Sequence, residues 1–327
     1  MRNTASSKLE GGFNSNPPTP TEVSLTISPQ DLHDSNSSLP SLGAGERALA
    51  AAKGSAKRLI DIWFSSKCAV LRGLGIIDFS LPPNHILRRT SSHTIRHYYE
   101  SGLTSFLPIA TAAIADGVNL DESVSVLDFA CGAGRQLLHL TRLYPNVKAH
   151  ACDIRADAIK YLRGAYPTAE VYANKFDPPL KYPDATFDLI YSVSVFSHIS
   201  VQDAQLWLAE LRRVAKPGAT LCLTFNSYTS LERYHESGKH SELSAEKLKE
   251  MEFFFDAEDE AGYARRMARE VALGFGHPGM LRPTGDIFYS AEKARSLMEA
   301  AGFELKKILP GVIDRMQDLA VLRRPNQ

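Results

Sequence analysis

A short apolar strand that runs straight into a glycine-spaced loop and then into a helix limits how this chain can fold. It lies at Val126-Leu127-Asp128-Phe129-Ala130-Cys131-Gly132-Ala133-Gly134, with the helix expected from Arg135 to Tyr144. Strand, tight turn and helix in that order open a β-α-β unit, and the residues that follow keep the rhythm. Val147–Asp153 reads as a second strand, and Ala156–Tyr166 as a second helix stopped by Pro167. Glu170–Ala173 and Phe187–Val193 read as the third and fourth strands. Gln202–Ala215 is an amphipathic helix ending at Lys216-Pro217-Gly218, and Thr220–Phe225 is the fifth strand. Such alternation predicts a parallel sheet with helices on both faces.

The alternation then breaks. Residues from Tyr228 to about Gly285 are charged, helical in pattern and poor in strand signals, with Gly274, Gly276, Pro278 and Gly279 closing the last helix. This stretch is expected to be a helical insertion, 228–285, after the fifth strand. Phe253-Phe254-Phe255 within it is expected to anchor the insertion to the sheet. A helix over Ala291–Ala301 and strands over Phe303–Leu309 and Asp318–Leu322 follow. The Pro310-Gly311 connection between those strands is too short for a helical crossover, so they are expected to run antiparallel. The fold class expected is α/β: a Rossmann-like, seven-stranded, mostly parallel sheet with an antiparallel C-terminal strand.

Residues 1–45 are dominated by Ser, Pro, Asn, Thr and Gly, as in Pro17-Pro18-Thr19-Pro20 and Ser35-Asn36-Ser37-Ser38, and are expected to be a disordered tail. Residues 46–120 read as a helical cap. Its first part, 46–77, is a basic amphipathic helix that either packs on the neighbouring domain or makes peripheral contact with an anionic membrane. Lys+Arg and Asp+Glu both number 37, so the basic surplus that holds proteins to nucleic acid is missing and no nucleic-acid partner is expected. The cysteines Cys68, Cys131, Cys152 and Cys222 include no C-x-x-C pair, so neither a metal site nor a disulfide framework is expected. With no long apolar run and no leader pattern, the expected location is the cytoplasm. Oligomeric state has no signature here.

The chemistry concentrates around the glycine loop. Glycines there let a ligand approach the backbone, and the helix N-terminus offers free N–H groups. Asp128 sits inside the strand where packing alone would place an apolar residue. Asp153 ends the second strand, where an acid can accept hydrogen bonds from ribose hydroxyls; it could equally cap the helix that follows. A dinucleotide site wants a third glycine, but Leu137 holds that position, and Asp128 would repel a pyrophosphate. A nicotinamide-dependent oxidoreductase is therefore the weaker alternative. A phosphate-free, cationic nucleoside suits two aspartates better, which points to S-adenosylmethionine.

From about Ser123 onward the chain resembles the class I S-adenosylmethionine-dependent methyltransferases. The stretches that carry the resemblance are VLDFACGAGR (126–135), HACDIRADAI (150–159), PPLKYPDATFDLIYSVSVFSHIS (178–200), LAELRRVAKPGATLCLTF (208–225) and QDLAVLRRP (317–325). SVFSHIS and QDLAVLRR are similar to bacterial members associated with glycan assembly. The resemblance implies a methyltransferase in which Asp128, Gly132 and Gly134 hold the methionine end of the cofactor, with Ala130 standing where the family often has Gly. It implies that Asp153 holds the ribose, that Ile154 flanks the adenine, and that Asn174 and Phe176 meet its edge and face. Ala219 replaces a second family glycine, and Met316 stands where similar sequences often carry His.

Methyl transfer needs alignment and at most one base to take a hydroxyl proton. His198, after the fourth strand at the carboxyl edge of the sheet, is the candidate base. Tyr98, Tyr99, Tyr228, His235, His240 and His277 are lesser candidates for lining the acceptor pocket. The insertion and the N-terminal helices are expected to cover that pocket. The acceptor expected is an oxygen of a small molecule or glycan; the alternative is a non-catalytic binding protein that keeps the fold.

Overall fold

The first strand, β1 (Ser125–Phe129), is buried from Val126 through Phe129, as a strand with helices on both faces must be. Alternate side chains serve different layers. Val126 packs with helices α1 (Ile95–Ala115), α2 (Arg135–Leu143) and α3 (Ala156–Ala165), through Phe106, Ile109, Leu137, Leu138 and Leu162. Leu127 packs on the opposite layer, with Trp207 and Leu211 of α4 (Val201–Val214) and Leu297 of α7 (Ala291–Ala300). Period-two alternation puts Asp128 on the side of Val126, beneath α1 and α2. The computed structural model describes residues 79–87, 95–236, 243–257 and 285–326. All of them fall within one compact unit, Leu59–Gln327.

The remaining strands of the main sheet are β2 (Lys148–Asp153), β3 (Glu170–Ala173), β4 (Phe187–Ser192), β5 (Ala215–Phe225), β8 (Glu304–Ile313) and β9 (Gln317–Arg323). They form a seven-stranded sheet in the order β3-β2-β1-β4-β5-β9-β8. β1 to β5 are mutually parallel, and β9 runs antiparallel between β5 and β8. This is the expected class. The chain leaves β1 in one direction for β2 and β3, then returns to the other side of β1 for β4. The carboxyl ends of β1 and β4 therefore flank a crevice of the kind that open α/β sheets use for ligands.

Two expectations needed correction. The turn between the last two strands is not Pro310-Gly311. β8 continues through those residues to Ile313, a register shift between Leu309 and Ile313 absorbs them, and Asp314 and Arg315 make the turn with φ of 52° and 56°. A left-handed pair with Met316 N–H bonded to the Ile313 carbonyl at 2.9 Å matches the twist of a hairpin, so it outcompetes the proline signal. The insertion is also not wholly helical. After α5 (Tyr228–Glu236) and α6 (Ala245–Met251), β6 (Phe253–Ala257) pairs antiparallel with β7 (Gly285–Tyr289) in a separate two-stranded ribbon. Phe253 of that ribbon packs against the α4/α7 layer. The tail 1–45 and the basic helix 46–77 lie outside the described residues. Among the described residues no helix is long and apolar enough to cross a membrane.

Candidate active site

Three residues of the loop after β1 carry left-handed backbone angles: Ala130 (φ 60°), Gly132 (φ 57°) and Gly134 (φ 80°). The alternation folds the loop tightly over the end of the sheet, with Cys131 N–H donating to the Cys152 carbonyl at 2.9 Å. Gly134 is required twice over. Its φ is costly for any other residue, and a Cβ there would stand 2.5 Å from Leu162 Cδ2 of α3. Gly134 is also the N-cap of α2 and supplies no side-chain cap, and in the first turn of that helix the Leu137 N–H bonds to the Asp128 carboxyl.

Asp153, at the end of β2, ties this loop down. Its Oδ2 accepts the Gly132 N–H at 2.8 Å, and its Oδ1 accepts the Arg155 N–H at 2.9 Å. The helix-cap reading of Asp153 is not realised: the N-cap of α3 is Arg155, and Asp153 instead holds that residue's own N–H and its Nε at 3.3 Å. A carboxylate has about four acceptor directions, so Asp153 keeps room for a further donor.

Asp128 is only 2% exposed, and its Oδ2 has no hydrogen-bond donor among the described residues. Tyr191 of β4 lies beside it in register, with its hydroxyl turned to the carboxyl group. Burial, with a smaller contribution from the charge of Asp153, pushes the Asp128 carboxyl up to about 7, against the opposing pull of Tyr191, Arg135 and the Leu137 N–H. A buried carboxylate with an oxygen that no donor reaches is costly, and a nearby positive charge lowers that cost.

The expected adenine contacts lie along the same edge. Ile154 is 42% exposed, an uncovered apolar surface directly after Asp153. Asn174 donates its N–H to the Asp153 carbonyl at 3.1 Å, which places it next to that acid. Its side-chain nitrogen donates to the Lys175 carbonyl at 2.7 Å, and its Oδ1 is buried without a donor among the described residues. Phe176 is half-buried in the loop that follows.

Helix α1 braces the loop from outside the β-α-β series. Tyr98, read from sequence as a pocket candidate, is fully buried instead and donates its hydroxyl to the Ala133 carbonyl at 2.9 Å. Gly102 lets α1 cross α2 closely, since a Cβ there would meet the Arg135 carbonyl oxygen at 2.6 Å. Arg135 donates to Ser101 Oγ at 3.0 Å and Gln136 to Ser105 Oγ at 2.8 Å. Tyr99 stacks on Phe79 and meets the edge of His139. Tyr228 is half-exposed and bonds Glu232 at 2.9 Å; His240 and His277 lie outside the described residues.

His198 sits in the turn between β4 and α4, with its side chain 45% exposed. The turn is held from two sides. Gln317 at the start of β9 donates to Ser197 Oγ at 3.0 Å and accepts from Ser194 Oγ at 3.1 Å and Thr224 Oγ1 at 2.8 Å. Ile287 of β7 donates its N–H to the Ser197 carbonyl at 3.0 Å. β7 thereby brings Asp286 to 3.5 Å from His198 Nδ1. Sequence reasoning missed both Gln317 and Asp286 as individuals. The first lay within the QDLAVLRRP stretch; the second was signalled only by the apolar run Ile287-Phe288-Tyr289 after a glycine.

Residues 126–218 match the methyltransferase domain family. The matched stretch runs from β1 to the first residues of β5 and contains Asp128, the glycine loop, Asp153, Asn174 and His198. Gln317 and Asp286 lie beyond it. Ajmaline N-methyltransferase of Rauvolfia serpentina is 28% identical over 123 residues, which cover 36% of this chain and 41% of that protein. A probable chloroplastic tocopherol O-methyltransferase of Oryza sativa subsp. japonica is 29% identical over 145 residues, 42% of this chain and 38% of that protein. The chain thus spans well under two thirds of these curated relatives. A solved SAM-dependent methyltransferase from Methanosarcina mazei aligns with a TM-score of 0.46 at 17% identity, over 65% of this chain and 97% of that one. Among the described residues no group of three or more His, Cys, Asp or Glu side chains could hold a metal ion.

Proposed function

We propose that the protein is an S-adenosylmethionine-dependent methyltransferase that methylates an oxygen of a small molecule or glycan. The observation that carries this reading is Asp128: a buried carboxyl with an unsatisfied oxygen, next to a left-handed glycine loop and the N-terminus of α2. The cofactor's methionine end is cationic and phosphate-free, which is what such a site can accept. Gly132 and Gly134 admit it against the backbone, with Ala130 small enough to do the same. Asp153, which already accepts the Gly132 N–H, the Arg155 N–H and Arg155 Nε, keeps one acceptor direction for a ribose hydroxyl. Ile154 and Phe176 offer apolar surface to a flat base, and the unused Asn174 Oδ1 suits an exocyclic amine. When bound, the cofactor supplies a methyl group already activated on a sulfonium.

The protein's share of the chemistry is then alignment and one proton. A hydroxyl must lose its proton to be methylated, whereas a neutral amine attacks unaided, so a histidine at the rim favours an oxygen acceptor. His198 takes that proton on its ring. The relatives named above include both an N- and an O-methyltransferase, and the preference for oxygen rests on His198 alone. A cytoplasmic location goes with this reading, as do the free, buried thiols of Cys131, Cys152 and Cys222. The glycan-associated subgroup rests on the SVFSHIS and QDLAVLRR stretches.

Incubation with isotopically labelled S-adenosylmethionine and cell extract, followed by identification of the labelled product, tests the acceptor. His198→Ala is expected to bind adenosylhomocysteine like the parent while turnover falls about 10²–10⁴-fold. Full turnover in that variant removes His198 as the base. No measurable adenosylhomocysteine binding by the parent protein ends the reading.

A further inference from the structure

We propose that Asp286 is a positioning residue for His198, holding the imidazole proton on Nδ1 so that Nε2 is left as the proton acceptor. The proposal rests on the reading of His198 as the base.

The two residues belong to different parts of the fold, and three contacts bring them together. Asp286 Oδ1 lies 3.5 Å from His198 Nδ1, and only 23% of the Asp286 side chain is exposed. The same Oδ1 accepts the Tyr234 hydroxyl of α5 at 3.2 Å, which fixes the carboxylate from its other side. β7 is joined to the His198 turn by the Ile287-to-Ser197 bond at 3.0 Å and to the end of β5 by Tyr289 N–H on the Asn226 carbonyl at 3.0 Å. Those bonds set the distance between acid and imidazole through backbone, not through flexible side chains. Burial and the neighbouring Asp286 charge both push the Tyr234 hydroxyl up, to about 12, so that it stays a donor to the carboxylate.

The chemistry follows from the two ring nitrogens. In a neutral imidazole one nitrogen carries the proton and the other accepts, and a carboxylate beside Nδ1 selects Nδ1–H. That leaves the Nε2 lone pair to receive a proton, and the carboxylate stabilises the imidazolium that results. A distance of 3.5 Å is an ion-pair separation; catalytic contacts of this kind are commonly long in the free enzyme and tighten on binding. The strand that carries Asp286 lies outside the matched stretch, so residues beyond it contribute to the chemistry.

Long-range ¹H–¹⁵N histidine spectra of the whole protein test this at about pH 8, above the ordinary imidazole range. The His198 signals are identified by their loss in His198→Gln. The parent is expected to show Nδ1–H as the major tautomer, and Asp286→Ala is expected to lose it in favour of Nε2–H. Asp286→Asn is expected to keep it, because the amide oxygen held by Tyr234 still accepts. A parent spectrum with Nε2–H in the majority, or an unchanged Asp286→Ala spectrum, overturns the proposal. Should Asp286→Ala not fold, the parent spectrum decides alone. The measurement uses neither cofactor nor acceptor, so its failure is separable from that of the methyltransferase reading, which adenosylhomocysteine binding tests.

Discussion

Asp153 and Gly132 are joined across the mouth of the crevice: the carboxylate at the end of β2 accepts the backbone N–H of the loop after β1 at 2.8 Å. One acid therefore shapes the loop and offers an acceptor to whatever the loop holds. Asp153→Ala is expected to weaken adenosylhomocysteine binding by about 1.5–3 kcal/mol, the scale of hydrogen bonds to a charged group. It should also lower the melting temperature, because the N–H groups of Gly132 and Arg155 lose their acceptor. Calorimetry and a thermal melt on the same preparation separate the two effects; unchanged affinity removes the ribose role.

Asp128 sets a pH dependence. Its carboxyl sits at about 7 in the folded protein against 3.8 for the free group, so the native state binds the proton more tightly than the unfolded chain. Its stabilising contribution is full below the unfolded value and is lost as pH rises toward 7, and Asp128→Asn should flatten that slope. Binding a cation has the opposite sense, since the ionised acid is the form that attracts it. S-adenosylmethionine affinity is expected to be about tenfold weaker at pH 6 than at pH 8, with a proton released on binding below pH 7. Titrations in buffers of different ionisation enthalpy measure that release, and a flat affinity profile refutes it.

Three glycines make an internal control. Gly102→Ala drives a Cβ to 2.6 Å from the Arg135 carbonyl oxygen, where no side chain can give way. Separation of α1 from α2 is expected to cost about 1–3 kcal/mol. Gly134→Ala adds strain at φ 80° to a 2.5 Å approach to Leu162 and should weaken the cofactor site as well. Gly164, inside α3 with nothing within 4 Å of its added Cβ, should tolerate alanine and gain about 0.5–1 kcal/mol. Chemical denaturation of all three orders them.

Gln317 connects the His198 turn to β5 and β9 through Ser194, Ser197 and Thr224. Gln317→Ala leaves the buried hydroxyls of Ser197 and Thr224 short of a partner, at about 1–3 kcal/mol. Because the turn it holds carries His198, the proposed base, and not the glycine loop, turnover should fall while adenosylhomocysteine affinity holds. Equal losses in both would place Gln317 in general folding.

Much of this site was legible along the chain because its signals are local. The boundaries of β1 and β3 follow from apolar runs bounded by turn residues, and the glycine loop declares itself through residues that only a left-handed backbone needs. Asp128 stood out as a charge in a strand that is otherwise buried. The misplaced features share a different cause. Pro310-Gly311 is a strong turn signal, yet the register of β8 against β9 moved the turn to Asp314-Arg315. Phe253-Phe254-Phe255 has no alternation from which to infer a strand, and its pairing partner lies far along the chain at β7. Tyr98 looked like a rim residue, but the approach that Gly102 permits buried it against Ala133.

The sequence by itself determined the alternating elements, the sheet they build and the pair of aspartates beside the glycine loop, because each depends on neighbours within a few residues. Only the tertiary structure decided that α1 props the loop, that Gln317 pins the His198 turn, and that Asp286 meets His198. Those contacts join segments remote in sequence, whose meeting depends on which faces pack together and in what register; no local propensity encodes it.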